Sequence, residues 1–252
     1  MSNLEEEYKK VVPTVQKLCR LALLGKKIVV NGGDNFVRNG PNLIVGNHIG
    51  TFKDVAAVFK ISPRYLFPVG NRVIFDKQEF NLLIRKHLKR HLHNFGLFVD
   101  LVLSPLKSVF VNFVSTNANK IGAIPVDLTQ KKRLAIIKCQ EYLKEGRAVV
   151  ILQGRGRVMK NDPNPYVSPF RRGPSIITYN LFKEEGLAIP VTPIALFGTH
   201  LPFLTPGKIK VNIGKPMYIT DYLAEEFNES VNRFREAMER QVQRLFMDLL
   251  KA

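Results

Sequence analysis

The sequence has few cysteines and no segment that resembles a linker. Cys19 and Cys139 are its only cysteines, and neither shows metal-ligand spacing. The pattern gives no basis for a disulfide framework or a zinc site, and a reduced compartment is expected. No stretch is rich in proline, glycine or serine, and no repeat recurs with a period of about 20 to 50 residues. We therefore predict a single domain over residues 1–252, with an N-terminal helix within residues 1–25.

Long apolar runs are also missing. No stretch of about 18 residues is free of charge, which argues against a conventional membrane-spanning helix. The nearest approach is residues 95–114, which Asp100 and Lys107 interrupt. We expect this stretch to lie on a membrane interface or dip into it. Residues 1–12 mix acidic and basic side chains and lack the pattern of a secretory signal peptide.

The chain has fewer acidic than basic residues. The chain has 38 Lys and Arg against 21 Asp and Glu, a formal charge of +17. This balance favours an anionic partner: a nucleic acid, an acidic membrane surface or a phosphorylated substrate. The charge alone does not choose among these partners. Because the chain shows no recognised nucleic-acid-binding module, we expect no nucleic-acid partner.

Apolar segments alternate between strand-like runs and helix-like stripes. We predict strands at residues 27–31, 43–46, 65–69, 148–152, 191–197 and 209–213, and helices at residues 130–145 and 231–249. This alternation predicts an α/β fold with a layered mixed, mostly parallel sheet flanked by helices. In such sheets, sites gather beyond the carboxyl ends of the strands.

A basic amphipathic segment interrupts the alternation at residues 82–93. Its apolar and basic side chains fall on opposite faces of a helix, which suits a position on anionic lipid. The alternative is a solvated surface helix packed on the core. The adjoining apolar stretch favours lipid, and we predict that residues 82–116 form a membrane-contacting insertion.

His48 and Asp54 form the leading candidate catalytic pair. His48 follows a short apolar strand, and Asp54 lies six residues further on. A neutral imidazole can accept a proton near neutral pH, and a carboxylate can orient it. The same residues fit a capping box, in which Thr51 and Asp54 close the first turn of a helix.

Four ordered blocks carry a resemblance to a known family. They are Gly46-Asn47-His48 with Asp54, residues 121–127, residues 153–157 and residues 189–195, with residues 169–173 as a further match. Together they resemble the glycerolipid acyltransferase family, which includes the 1-acylglycerol-3-phosphate acyltransferases. The resemblance covers roughly residues 27–215.

The resemblance implies transfer of a fatty acyl group from an acyl-CoA or acyl-carrier-protein thioester to a lysophospholipid hydroxyl, without a metal or cofactor. The first candidate acceptor is 1-acyl-sn-glycerol 3-phosphate, which would give phosphatidic acid. His48 would deprotonate the acceptor, and Asp54 would orient His48. The implied partner surface is an anionic membrane, and the implied location is peripheral or monotopic on its cytoplasmic face.

The resemblance also implies binding residues. Substrate and phosphate would contact Asn47, Gln153, Gly154, Arg155, Arg157, Arg171 and Arg172. Gly122, Ile124 and Pro125 would shape the acceptor and acyl pocket. Glycines free backbone amides while arginines clamp phosphate oxygens, although residues 153–157 also fit an ordinary basic surface turn.

Two departures from the family pattern leave an alternative open. Five residues separate His48 from Asp54 where the family has four, so the loop must bulge by a residue. Gln153 and Gly156 occupy positions that hold glutamate and arginine in the family. A lipid-binding relative without catalysis is therefore a second hypothesis, while an acyltransferase for another lipid acceptor is a variant of the first. A nucleic-acid-binding protein, suggested only by the charge, is the third. His200, at another strand end, is either structural or close to the site.

Overall fold

The computed structural model describes residues 3–92, 104–127, 132–202 and 205–251. These residues fall into two compact units: a smaller one of Met1–Pro13 and Val69–Ala135, and a larger one of Thr14–Pro68 and Ile136–Ala252. The single-domain organisation stays a prediction. In the described residues the helices are α1 (Asn3–Ala22), α2 (Phe52–Ile61), α3 (Lys77–Leu92), α4 (Ser104–Asn117), α5 (Lys132–Lys144), α6 (Gly173–Glu185) and α7 (Phe227–Lys251).

The larger unit is built on a mostly parallel sheet. The strands of the described chain are β1 (Lys26–Asn31), β2 (Asn42–His48), β3 (Leu66–Asn71), β4 (Ile124–Val126), β5 (Ala148–Gly154), β6 (Val191–Phe197) and β7 (Gly207–Ile213). In the larger unit they lie in the order β1, β7, β6, β2, β5, β3, with β6 and β7 antiparallel and the other pairs parallel. The predicted fold class is confirmed.

Strand β2 is buried because β5 and β6 pair with both of its edges. Its apolar residues Leu43, Ile44 and Val45 are fully buried, as in strands covered on both faces. Each such side chain contributes about 1.5–3 kcal/mol by its transfer from water. Ile44 belongs to the same apolar cluster as Ala57 of α2, so burial holds α2 against the sheet.

The register of β2 on β5 places two sequence blocks side by side. Asn47 pairs with Gln153, and His48 pairs with Gly154. Because parallel strands run the same way, these residues meet at one carboxyl edge of the sheet. The candidate base thus lies beside the glycine-rich segment that follows β5.

The smaller unit contains α3, α4 and β4, and β4 pairs with residues Val69–Asn71 of β3. The rings of Phe80 and Phe110 join α3 to α4, with centroids 6.0 Å apart. Leu82 is 63% exposed and Val109 is 68% exposed. The predicted basic helix falls on α3, whereas residues 93–103 of the predicted insertion lie outside the described residues. Within the described ranges, no helix has both the length and the apolar character needed to cross a membrane.

The helix predicted at residues 130–145 is α5, with residues 128–131 outside the described chain. Gly146 follows it with φ +75° and donates its backbone N–H to the carbonyl of Leu143, as glycine commonly does at a helix end. The helix predicted at residues 231–249 lies within α7, and its apolar residues form the buried face of that helix.

Candidate active site

His48 and Asp54 are in direct contact. His48 ends β2, and Asp54 lies in the first turn of α2. The distance from His48 Nδ1 to Asp54 Oδ2 is 2.8 Å. Oδ2 also accepts hydrogen bonds from the backbone N–H groups of Ile49 (2.9 Å) and Gly50 (2.7 Å). Because a carboxylate oxygen accepts at all three contacts, Nδ1 carries a proton, and in the neutral ring the lone pair then belongs to Nε2.

The two side chains differ in their access to solvent. The Asp54 side chain is fully buried, whereas that of His48 is 25% exposed. Burial strengthens the hydrogen bond to the ring, and exposure leaves the ring reachable. The expected contact is therefore present, and the catalytic roles of the two residues stay predictions.

The capping-box interpretation of this loop is wrong. Thr51 precedes α2, but its side chain forms no cap and instead donates to the carbonyl of Gly50 (2.7 Å). Asp54 accepts from Ile49 and Gly50, while the Thr51 N–H donates to the carbonyl of Gly156 (3.1 Å). Thr51 has φ +52°, which is rare for a β-branched residue. The additional residue between His48 and Asp54 is thus accommodated by an unusual backbone conformation.

The glycine-rich segment after β5 lies against His48. The backbone N–H of Gly156 donates to the carbonyl of His48 (3.1 Å). Together with the bond from Thr51, this contact ties both ends of the His48 loop to one residue. A Cβ atom at Gly156 would lie 3.2 Å from His48 Nε2. Gly156 was not among the binding residues that the resemblance implied, although its departure from the family pattern was the available signal.

The arginines around this segment divide into two groups. Arg155 and Arg171 are exposed and Arg157 is half-buried, and in the described chain no carboxylate pairs with any of them. By contrast, Arg172 donates to Asn228 Oδ1 (2.6 Å). The first three guanidinium groups are therefore available to an anion, whereas Arg172 has an intramolecular partner.

Gln153 is buried, and the predicted pocket residues differ from one another in burial. Gln153 is 4% exposed, and its Oε1 accepts the backbone N–H of Arg171 (3.1 Å). In the smaller unit, Gly122 and Ile124 are buried while Pro125 of β4 is exposed. The binding roles of these residues, and that of Gly154, stay predictions.

Asn47 uses its whole amide within the fold. It is fully buried, and its Nδ2 donates to the carbonyls of Tyr166 (3.0 Å) and Leu196 (2.9 Å). Its Oδ1 accepts the backbone N–H of Leu196 (2.8 Å). These bonds fix the end of β2 against β6, so Asn47 positions its neighbour His48. Its implied contact with substrate stays a prediction.

Replacement of Asn47 by alanine is expected to lower the free energy of unfolding by about 2–4 kcal/mol, because two buried backbone groups of Leu196 and the half-buried carbonyl of Tyr166 lose their partner. Urea unfolding measures this change. Asn31→Ala, at the exposed end of β1, is the control and is expected to remain within about 0.5 kcal/mol of the native protein. Equal midpoints for the two variants would contradict the structural role of Asn47.

Two buried lysines lie near the site and were missed by the sequence analysis. Lys53 is 7% exposed and donates to the carbonyl of Leu201. Lys26 is 8% exposed and donates to the carbonyls of Pro202 (3.2 Å) and Thr205. Burial is the main cause that lowers the pKa of Lys53, followed by the charge of Lys26. No sequence pattern separates these lysines from the many exposed ones.

His200 packs in an aromatic cluster. Its ring contacts those of Tyr166 (5.4 Å between centroids) and Phe197 (5.3 Å), and its Nδ1 is buried with no hydrogen-bond partner among the described residues. Burial lowers the pKa of His200 below its ordinary value of 6.5. The charges of Lys53 and Lys26 lower it further, against the opposing effect of Asp54. These contacts favour the structural role.

His200 is expected to make stability depend on pH. The unfolded chain binds a proton at the ordinary histidine pKa, about 6.5, while the folded protein resists protonation. The contribution is thus fully present above pH 6.5 and is lost as the pH falls toward the lowered pKa of the folded state. In His200→Gln this loss is absent, so its urea midpoint should approach that of the native protein between pH 7 and 5. Parallel pH profiles would contradict the assignment.

Comparisons with known proteins place this geometry in a known fold. No protein-family model matches the chain, and no curated protein matches it. The crystal structure of the 1-acyl-sn-glycerophosphate (LPA) acyltransferase PlsC from Thermotoga maritima is similar, with a TM-score of 0.59 and 19% sequence identity. The match covers 99% of this chain and 84% of that chain. The resemblance predicted from the four blocks is confirmed as a shared fold.

Proposed function

We propose that this protein is a membrane-surface acyltransferase that acylates the hydroxyl of a lysophospholipid. Its first candidate acceptor is 1-acyl-sn-glycerol 3-phosphate, with phosphatidic acid as the product and acyl-CoA or acyl-carrier protein as the donor. The observation that carries the proposal is the 2.8 Å contact between His48 and Asp54. This contact lies at the carboxyl edge of the sheet, in a chain whose fold is similar to that of an acyltransferase.

The proposed reaction uses His48 first as a base and then as an acid. His48 Nε2 accepts the proton of the acceptor hydroxyl while the oxygen attacks the thioester carbonyl carbon. Asp54 stabilises the resulting imidazolium through Nδ1. The tetrahedral intermediate then collapses, the carbon–sulfur bond breaks, and the departing sulfur takes the proton from Nε2. A thioester is already activated, so placement of the two substrates beside one base supplies much of the rate.

Three unpaired arginines support an anionic acceptor. Arg155, Arg157 and Arg171 belong to segments that follow β5, and the described chain gives none of them a carboxylate partner. Guanidinium groups bind phosphate oxygens through paired charged hydrogen bonds. We therefore assign the acceptor phosphate to these side chains rather than to Arg172, which Asn228 engages.

The smaller unit supports attachment to a membrane surface. Leu82, Leu83 and Val109 are exposed apolar side chains of α3 and α4, and Arg85 and Lys86 are exposed basic residues of α3. Apolar contact combined with basic charge favours the surface of an anionic bilayer. We propose a peripheral or monotopic location on the cytoplasmic face.

A substrate panel tests the proposal. The purified protein is incubated with radiolabelled acyl-CoA or acyl-carrier protein and with lysophosphatidate, other lysophospholipids or glycerol 3-phosphate, in vesicles with and without phosphatidylserine. The expected result is a labelled diacyl product and release of the free thiol in equal amounts. Vesicle co-sedimentation is measured on the same samples.

The panel also separates the second candidate function. The occupation of two family positions by Gln153 and Gly156 favours a lipid-binding relative without catalysis. Vesicle binding with no thiol release from any donor would support that function and reject the acyltransferase. Labelled product with an acceptor other than lysophosphatidate would keep the activity and change the acceptor.

A further inference from the structure

The Nε2 nitrogen of His48 lies close to Gly156, a residue that has no side chain. Nδ1 is occupied by Asp54, so Nε2 is the nitrogen that a substrate must reach. A Cβ atom at Gly156 would lie 3.2 Å from Nε2 and 3.1 Å from the Thr51 methyl carbon Cγ2. Both distances are shorter than ordinary van der Waals contact between such atoms. The absence of a side chain at Gly156 therefore keeps the space beside Nε2 open.

Gly156 has little freedom to move away from the ring. Its N–H binds the His48 carbonyl, and its carbonyl accepts the Thr51 N–H, both at 3.1 Å. Its φ of +69° is a conformation that glycine adopts freely and other residues rarely adopt. Because these hydrogen bonds hold the backbone in place, an added methyl group would clash with the ring or with Thr51.

We infer that Gly156 is a specificity-determining residue of the site, an inference that rests on the proposed function. The space that a Cβ atom at Gly156 would fill lies beside Nε2, and the carbon that bears the acceptor hydroxyl occupies this space as the hydroxyl reaches the base. The neighbouring Arg155 and Arg157 hold the anionic group of the acceptor on either side of the glycine. Gly156 thereby admits a secondary alcohol, whose carbon carries one more substituent than that of a primary alcohol.

The test compares Gly156→Ala with a matched glycine. Gly186, the residue after α6, has φ +68°, and nothing lies within 4 Å of a Cβ atom built there. Gly186→Ala thus reproduces the backbone strain without the obstruction. We expect both variants to have lower urea midpoints than the native protein, and Gly156→Ala the lower of the two, because it adds close contacts to the shared strain. Only Gly156→Ala should slow transfer to a secondary hydroxyl relative to a primary one, by at least about tenfold.

A chemical readout does not depend on turnover. Diethyl pyrocarbonate acylates accessible neutral imidazole nitrogens, and mass spectrometry of the digested protein reports the modification of His48 alone. We expect slower modification of His48 in Gly156→Ala and the native rate in Gly186→Ala. Should Gly156→Ala fail to fold, a double variant with Thr51→Ser removes the Cγ2 methyl that the added Cβ would meet at 3.1 Å. Its His48 is expected to be modified more slowly than that of Thr51→Ser alone.

The outcomes separate this inference from the proposed function. Native modification of His48 in Gly156→Ala, or equal modification of His48 in the double variant and in Thr51→Ser, would overturn the role of Gly156. An unchanged preference for secondary over primary hydroxyls would overturn it as well. Slower modification of His48 in Gly156→Ala, with the native rate in Gly186→Ala, would support the open space beside Nε2, even if none of the proteins acylated any acceptor. Absence of acylation would reject only the acyltransferase.

Discussion

Replacement of His48 by alanine is expected to lower the rate of acyl transfer by about 10²- to 10⁴-fold, the usual contribution of a general base. The reason is local. Nδ1 is held by Asp54 at 2.8 Å, so Nε2 is the ring atom free to accept a proton from the acceptor. Steady-state transfer to lysophosphatidate measures the loss, with the native thioester donor in excess.

The control for this change is a second histidine at the end of a neighbouring strand. His200 lies just beyond β6 in an aromatic cluster, and His200→Gln should keep acyl transfer within about tenfold of the native rate. Circular dichroism and urea unfolding establish that both variants are folded. Native turnover by folded His48→Ala would remove the base from the proposed mechanism.

Asp54→Asn is expected to lower acyl transfer by about 10²-fold or more, through the loss of charge beside the imidazolium. The Asp54 carboxylate accepts backbone N–H groups from Ile49 and Gly50 at the same oxygen that binds His48. Those two donors require an oxygen at this position in the asparagine variant as well. The ring should therefore keep its orientation and its tautomer, while the negative charge of the neighbouring carboxylate is lost.

Asp54→Ala provides the comparison that separates charge from orientation. Alanine removes the acceptor of all three N–H groups and leaves two buried backbone donors unpaired, which costs about 1–3 kcal/mol each. We expect Asp54→Ala to lose both stability and activity, and Asp54→Asn to keep most of its stability. Equal activity in Asp54→Asn and the native protein would show that the carboxylate charge has no part in the reaction.

The sequence predicted the elements that depend on strong local patterns. The strand at residues 191–197 coincides with β6, and the apolar run before His48 forms the buried part of β2. Both runs are short, mostly apolar and rich in β-branched residues, which together favour a buried strand over a helix. The approach of Asp54 to His48 could also be anticipated, because six positions span a strand end and the first turn of a helix.

Other features depended on contacts that no local pattern records. The hydrogen bonds of Asn47 involve Tyr166 and Leu196, so its positioning role could not be read from its neighbours in the chain. Thr51 matches a helix cap by residue type. Its backbone N–H instead donates to the carbonyl of Gly156, a contact between segments far apart in the sequence. The burial of Lys53 depends likewise on the distant carbonyl of Leu201.

The construction of the site from distant strands has a consequence for the kinetics of refolding. Asn47 donates to the carbonyl of Leu196, which lies 149 positions away in the sequence, so strand β6 positions both Asn47 and the neighbouring His48. Such non-local pairing makes folding slow, because long loops must close before any contact stabilises them. Helical signal should therefore return early after dilution from urea, and catalytic turnover should return only with the slowest phase.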